Sequence, residues 1–452
     1  MIMRLNLNKK GLPGEITNRG FTVLEALIGT AIFLVVALAG YNAFSVLMDA
    51  VSMSRAKIAA TSVVNEQFEI IRNLPYEDVG LISGIPAGKI DKDQTVTRDG
   101  YVFEIDITIR NTDDPFDGII GDSPSDLSPA DYKLVDLDLD CSNCKVFSPL
   151  NFTTIVAPHA LETASTNGAL FIRVFDAEGL PVTGALVHIE NTQTNPDTII
   201  DEITDNTGWL KIVDAPPGVN AYNISVTKSG HSQDQTYEIG GSAGAEPLLP
   251  DSTVVIQQVT QTSLSIDHTS TLNVSTIDAT CVAVPSISFS LTGTKLIGLP
   301  DIKKYTTQNF STDITGSYTI SNLEWDSYSY VLTNPLYDLA GGTLLPTFSL
   351  NPNESKTLSM VVVPHLDSAL LVSVKDANNV TIDGAIVHLQ AGLFDETKTT
   401  NSSGCSTPGQ TFWNGLASGT YTMTVSKAGY QDSVSDVNIN TSWQNVDVIL
   451  TP

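Results

Sequence analysis

From Phe21 to Met48 the chain runs for 28 residues with a single charged side chain, Glu25. As a helix that run is roughly 42 Å long, more than the ~30 Å hydrocarbon layer of a bilayer. It is long enough to cross a membrane. Ahead of it stand Arg4, Lys9, Lys10 and Arg19 against Glu15, so the positive-inside rule keeps the N-terminal side in the cytoplasm. A secretory signal peptide has an apolar core of roughly 7–15 residues and a small-residue cleavage site. This run is about twice that length and passes straight into a polar helix. An ordinary single-pass anchor gives no reason for Glu25, since an ionisable group in lipid costs a few kcal/mol or more unless it finds a partner.

The residues around that carboxylate, Arg19-Gly20-Phe21-Thr22-Val23-Leu24-Glu25, resemble the processing site of type IV prepilins. The resemblance implies cleavage between Gly20 and Phe21 by a prepilin peptidase, N-methylation of Phe21, and assembly with other pilin subunits on an inner-membrane platform. It also gives Glu25 a task. The amine created at Phe21 is neutralised by the carboxylate of a neighbouring helix in a low-dielectric filament core, which fixes assembly register. Removing residues 1–20 takes away a net +3 and leaves the mature chain at -30.

Beyond Met48 there is no Pro or Gly before Pro75, and Ala60, Val63, Val64, Phe68 and Ile71 keep a three-to-four spacing. One helix is expected from Phe21 to Asn73, amphipathic in its second half and stopped by Pro75. The stretch from Asn65 to Tyr76 is similar to the helix end of minor pilins of the pilus-modification group, implying an accessory subunit. Alternation over 101–110 and 134–140, with a further candidate at 152–156, predicts strands with one wet face. The expected fold is therefore an α+β pilin, a long helix plus a small antiparallel sheet, over 21–74 and 75–162.

Two local motifs lie in that head. Asp113, Asp114, Asp117 and Asp122 share a Gly-containing loop and are candidate Ca²⁺ ligands, weighed against a solvated acidic turn because the spacing is not that of an EF-hand. Cys141 and Cys144 form a CxxC; in an exported protein a local disulfide is favoured, two free thiols come next, and zinc lacks a second ligand pair. Cys281 and Cys405 fall in segments assigned to separate domains, so no disulfide framework is expected to hold the fold together.

The remaining chain repeats itself at about 90 to 100 residues. Ala169–His231 and Ala369–Tyr430 share four pieces in order. These are Val174-Phe175-Asp176-Ala177 with Val374-Lys375-Asp376-Ala377, Gly184–His188 with Gly384–His388, Thr204–Gly208 with Thr400–Gly404, and Tyr222–Gly230 with Tyr421–Gly429. A divergent middle copy carries Val284–Phe289, Thr312–Gly316 and Tyr328–Leu332. The pieces resemble carboxypeptidase-regulatory-like domains, prealbumin-type sandwiches akin to adhesin repeats. The resemblance implies all-β, Ig-like or transthyretin-like sandwiches at 163–262, 263–365 and 366–452, acting as a stalk or as binding modules without catalysis. His188 and His388 sit in equivalent strands and read as one structural slot. Trp209, Trp325, Trp413 and Trp443 read as packing residues. Lys-poor first strands argue against Lys–Asn isopeptide bonds.

Length supports several domains, roughly three or four. With 50 Asp and Glu against 23 Lys and Arg and no basic stripe past residue 20, direct nucleic-acid binding is not expected. No Ser-His-Asp set, P-loop, HExxH or dinucleotide fingerprint is present, so the chain reads as a non-enzyme. Three functions compete: a minor pilin at or near a filament tip with an unidentified surface or carbohydrate ligand, a pseudopilin of a type II secretion or DNA-uptake machine, and a tethered adhesin that never polymerises.

Overall fold

A computed structural model describes residues 22–116, 118–123, 125–158, 164–402 and 404–452. The long helix, α1, runs Val23–Arg72. Thr22 caps it, its hydroxyl accepting from the Glu25 N–H at 3.2 Å, and Asn73 ends it one residue before Leu74-Pro75. Its buried residues, Ala56, Ala59, Ala60, Val63, Val64, Phe68 and Ile71, fall in its last five turns.

Four strands follow: β1 (Asp93–Arg98), β2 (Tyr101–Thr112), β3 (Tyr132–Cys141) and β4 (Leu150–Val156), paired in that order. β1 and β2 form a hairpin whose two-residue turn, Asp99-Gly100, has positive φ at both positions, the geometry that matches strand twist. β1 is a strand beyond those expected; Asp-Gly before an alternating run is its signal in the sequence. Phe103, Ile105, Ile107 and Ile109 of β2 and Val135, Leu137 and Leu139 of β3 are buried, so the expected one-sided strands are present.

The chain divides into two compact units. One is Met1–Leu74, Asp91–Thr108 and Asp136–Thr154; the other is Pro75–Ile90, Ile109–Val135 and Ile155–Pro452. The segment 75–162, expected as a single head, is thus shared between them. In the first unit Lys145 pairs with Asp49 at 2.7 Å, Arg98 with Glu66, and Arg72 donates to the Thr154 hydroxyl at 2.6 Å.

Three β-sandwiches follow, and one closure rule defines each: its first strand pairs in parallel with its last. β5 (Gly168–Phe175) pairs with Val259–Ser265, Ser270–Ile277 with Ser355–Pro364, and Leu370–Lys375 with Gln444–Ile449. The expected boundary between residues 262 and 263 cuts the first closing strand; Ser265 ends the first sandwich and Ser270 opens the second. Each sandwich has its own apolar core, built around Tyr222, Tyr328 or Tyr421. Their hydroxyls donate to Pro216, Glu324 and Ala417 carbonyls at 2.6–3.0 Å, which lets a phenol stay buried.

The repeat is deeper than sequence comparison revealed. After each first strand an aspartate, Asp176, Asp278 or Asp376, accepts from the backbone N–H groups two and four residues on. Buried Thr204, Thr312 and Thr400 each accept a backbone N–H, from Ala185, Ile287 and Ala385. One expected correspondence is corrected. The carbonyls of Gly208, Gly316 and Gly409 accept from Val174, Thr276 and Val374, so Gly409, not Gly404, is the counterpart of Gly208. The third repeat carries extra residues between Thr400 and Gly409, and Cys405 lies among them.

Candidate functional site

The first half of α1 is the feature with most chemistry to explain. Val23, Leu27, Phe33, Val36 and Phe44 are exposed, Phe33 to 71%. Fully hydrating an aliphatic side chain of this kind costs about 1.5–3 kcal/mol against burying it, so such a helix needs lipid or another protein around it. It is long and apolar enough to cross a membrane. Glu25 is the sole charged residue before Asp49 in this helix and sits in its first turn, where the helix dipole favours an anion. Thr22 and Glu25 stand at the spacing of a capping box, a signal visible in the sequence and not used in reading it. Gly20 and Phe21 lie outside the described residues.

Asp113 and Asp114 spend carboxylate oxygens on the loop itself: Ile120 N–H donates to Asp113 Oδ2 at 2.9 Å and Phe116 N–H to Asp114 Oδ1 at 3.1 Å. Asp122 is exposed and Asp117 lies outside the described residues. Among the described residues no group of three or more His, Cys, Asp or Glu side chains is placed to hold a metal.

Cys141 and Cys144 are joined by a disulfide at the end of β3. Cys281 and Cys405 are joined as well, Cα atoms 5.6 Å apart, so where no disulfide framework was expected a bond links the second sandwich to the third. Around it the Gln410 carboxamide accepts from Gly342 N–H at 3.1 Å and donates to Gly342 O at 2.8 Å. Trp443 Nε1 donates to Leu339 O at 2.8 Å, and Leu371 of the third sandwich is part of the second one's core. At the linker, His365 Nδ1 meets the buried Asp338 carboxylate at 2.8 Å, and this hydrogen bond and charge raise the imidazole above its ordinary value. The first and second sandwiches meet differently: Glu246–Pro247 pairs antiparallel with Gly298–Leu299 of the second, and Lys304, which also holds Glu324 of its own sandwich at 2.9 Å, lies 3.5 Å from Asp234 of the first.

Lys133 went unnoticed in the sequence. Its ammonium, 5% exposed, donates to the carbonyls of Tyr76 and Val79 at 2.7 and 2.6 Å and stands 4.4 Å from the Tyr76 ring centroid. Burial pushes it down to about 8, opposed by Asp214, Glu77 and Asp78. It ties β3 to the turn that follows α1 and lines a recess of about 610 Å³ with Ile85, Asn111, Asn195 and Asp214. His188 and His388 each bond an aspartate of the adjoining strand, Asp201 at 2.7 Å and Asp395 at 2.8 Å. The tryptophans pack: Trp413 is buried, and Lys295 covers Trp325 at 3.5 Å.

No protein-family model matches the chain, and no curated protein matches it. Among solved structures, it is similar to the Bacillus anthracis TIE protein, at 13% identity over 80% of this chain and 74% of that one, TM-score 0.20. It is also similar to a streptococcal ancillary pilin, at 13% identity over 63% and 98%, TM-score 0.19. The Streptococcus agalactiae minor pilin GBS52 matches at 13% identity over 44% and 97%, TM-score 0.22. Overall superposition this low carries neither fold nor function from those proteins to this chain.

Proposed function

We propose that the chain is a structural subunit of a type IV pilus-like filament, a minor pilin that polymerises through α1 and displays three sandwiches at or near the tip. One observation carries this reading: a single helix is bare and apolar through its first half, and buries side chains only from Ala56 onward. A lone carboxylate at Glu25 is costly in lipid and useful against the new amine that cleavage at Gly20 would give a neighbouring subunit at Phe21. The 291 residues beyond Leu161 would crowd a regular shaft, which supports the tip. Processing by a prepilin peptidase and assembly on a membrane platform belong to the same proposal.

The test is to shear filaments from cells and probe them for this chain, with its N-terminal mass read in parallel. Recovery in the sheared fraction, beginning at a methylated Phe21, supports the reading. Complete retention with membranes and an unprocessed N-terminus contradicts it.

A further inference from the structure

We propose that the Cys281–Cys405 disulfide is a tension bypass that takes the second sandwich out of the load path when the sandwich array is pulled end to end. The claim concerns any load between the ends of the array, so it stands or falls apart from the filament reading.

Both cysteines occupy places where their own repeat departs from the others. Cys281 follows Asp278 by three residues, the position of Gly179 after Asp176 and Asn379 after Asp376, and all three have positive φ, 66°, 83° and 61°. Gly and Asn are the residues that enter that region readily, and Cys is not. Cys405 lies in the extra residues between Thr400 and Gly409, which the first two repeats lack. A residue unsuited to its backbone slot and an insertion in the next repeat meet in one covalent bond, which argues for a selected link between domains.

The load path follows from connectivity. Tension arriving from the first sandwich enters the second at Ser270 and runs along Ser270–Ile277, a strand that is already extended. It reaches Cys281 and crosses directly to Cys405. The chain between the two cysteines, a separation of 124 residues, is left slack, and it includes every other strand of the second sandwich, the linker, and the first three strands of the third, Leu370–Lys375, Ile386–Ala391 and Phe394–Thr399. Without the bond, the same pull must shear Ser270–Ile277 from its parallel partner Ser355–Pro364. Among the described residues the first junction has no disulfide: the Lys304–Asp234 ion pair and the pairing of Glu246–Pro247 with the second sandwich cross it, and both are non-covalent.

The experiment stretches single detergent-solubilised full chains held by tags at residues 1 and 452. In the oxidised wild type, the total contour length should fall short of that in reductant by roughly 400–450 Å, taking about 3.3–3.6 Å per residue. The unfolding event of the second sandwich should be missing with it, and that of the third should be shorter, since its first three strands lie behind the bond. Cys281→Ser with Cys405→Ser should restore both without reductant. Reducing an already tethered wild-type molecule makes the same comparison even where that variant folds poorly. Equal lengths and equal numbers of events before and after reduction would overturn the proposal.

Discussion

Cys281 holds in the second sandwich the left-handed position that Gly179 holds in the first, φ 66° against 83°. Left-handed backbone costs a non-glycine residue about 1–2 kcal/mol, so the cysteine is there for its sulfur. In a Cys405→Ser background, Cys281→Gly should be about 1 kcal/mol more stable than Cys281→Ser. Thermal unfolding of the two double variants decides it; a more stable serine variant contradicts the shared-position account.

The buried threonines make a second prediction about the repeat. Thr400 Oγ1 donates to Ile382 O at 2.7 Å and accepts Ala385 N–H at 3.0 Å; Thr204 does the same with Val182 and Ala185. Thr400→Val keeps shape and strands both backbone groups, so it should cost about 1–3 kcal/mol. Thr204→Val should cost a similar amount in the first sandwich. Denaturant unfolding measures both, and a loss under about 0.5 kcal/mol in each would show that these hydroxyls do not hold the hairpins.

Lys133 binds the turn after α1 through two carbonyls. Lys133→Met fills the same volume and leaves the oxygens of Tyr76 and Val79 without their donor, at a cost of about 2 kcal/mol or more. Because burial lowers the folded value to about 8, the unfolded chain holds this proton more tightly. Its contribution to stability therefore rises with pH from about 8 toward the unfolded value near 10.5. The gap in melting temperature between wild type and Lys133→Met should widen across that window; a constant gap contradicts the assignment.

His365 gives the opposite sign. Asp338 Oδ1 accepts from its Nδ1, Asp367 lies 3.9 Å from its Nε2, and the folded value is raised. Its stabilisation is complete below the ordinary value of about 6.5 and is lost as pH rises through the raised value. Wild type should exceed His365→Gln in melting temperature at about pH 5.5, and the difference should shrink by about pH 8.5. A difference that grows with pH would contradict the pairing.

Periodicity carried much of this fold. The three-to-four spacing from Ala60 to Ile71 and the alternation in β2 and β3 are simple burial patterns, and the structure buries those side chains. The repeat was legible through Tyr222, Tyr328 and Tyr421 because each leads a strand into a core. The alignment slipped at Gly404 because an insertion shifts the glycine whose carbonyl closes the ladder to Gly409, and only backbone pairing reveals which glycine that is. Disulfide partners far apart in the chain cannot be paired from spacing, which is why Cys281 and Cys405, in separate domains, gave no expectation of a disulfide framework. Lys133 was hidden because its burial is set by the turn from Pro75 to Val79, far away in sequence. Asp99-Gly100 and Thr22 with Glu25 were readable and were passed over.

The central claim is that α1 assembles subunits through Glu25, and its most direct measurement is filament incorporation of Glu25→Ala. Equal amounts of wild-type and variant protein are expressed, filaments are sheared from cells, and the chain is quantified in the sheared and membrane fractions. The account predicts that Glu25→Ala stays in the membrane fraction, with its loss from filaments at least tenfold and its sandwiches still folded. Incorporation at the wild-type level would contradict it, leaving α1 as a plain membrane tether.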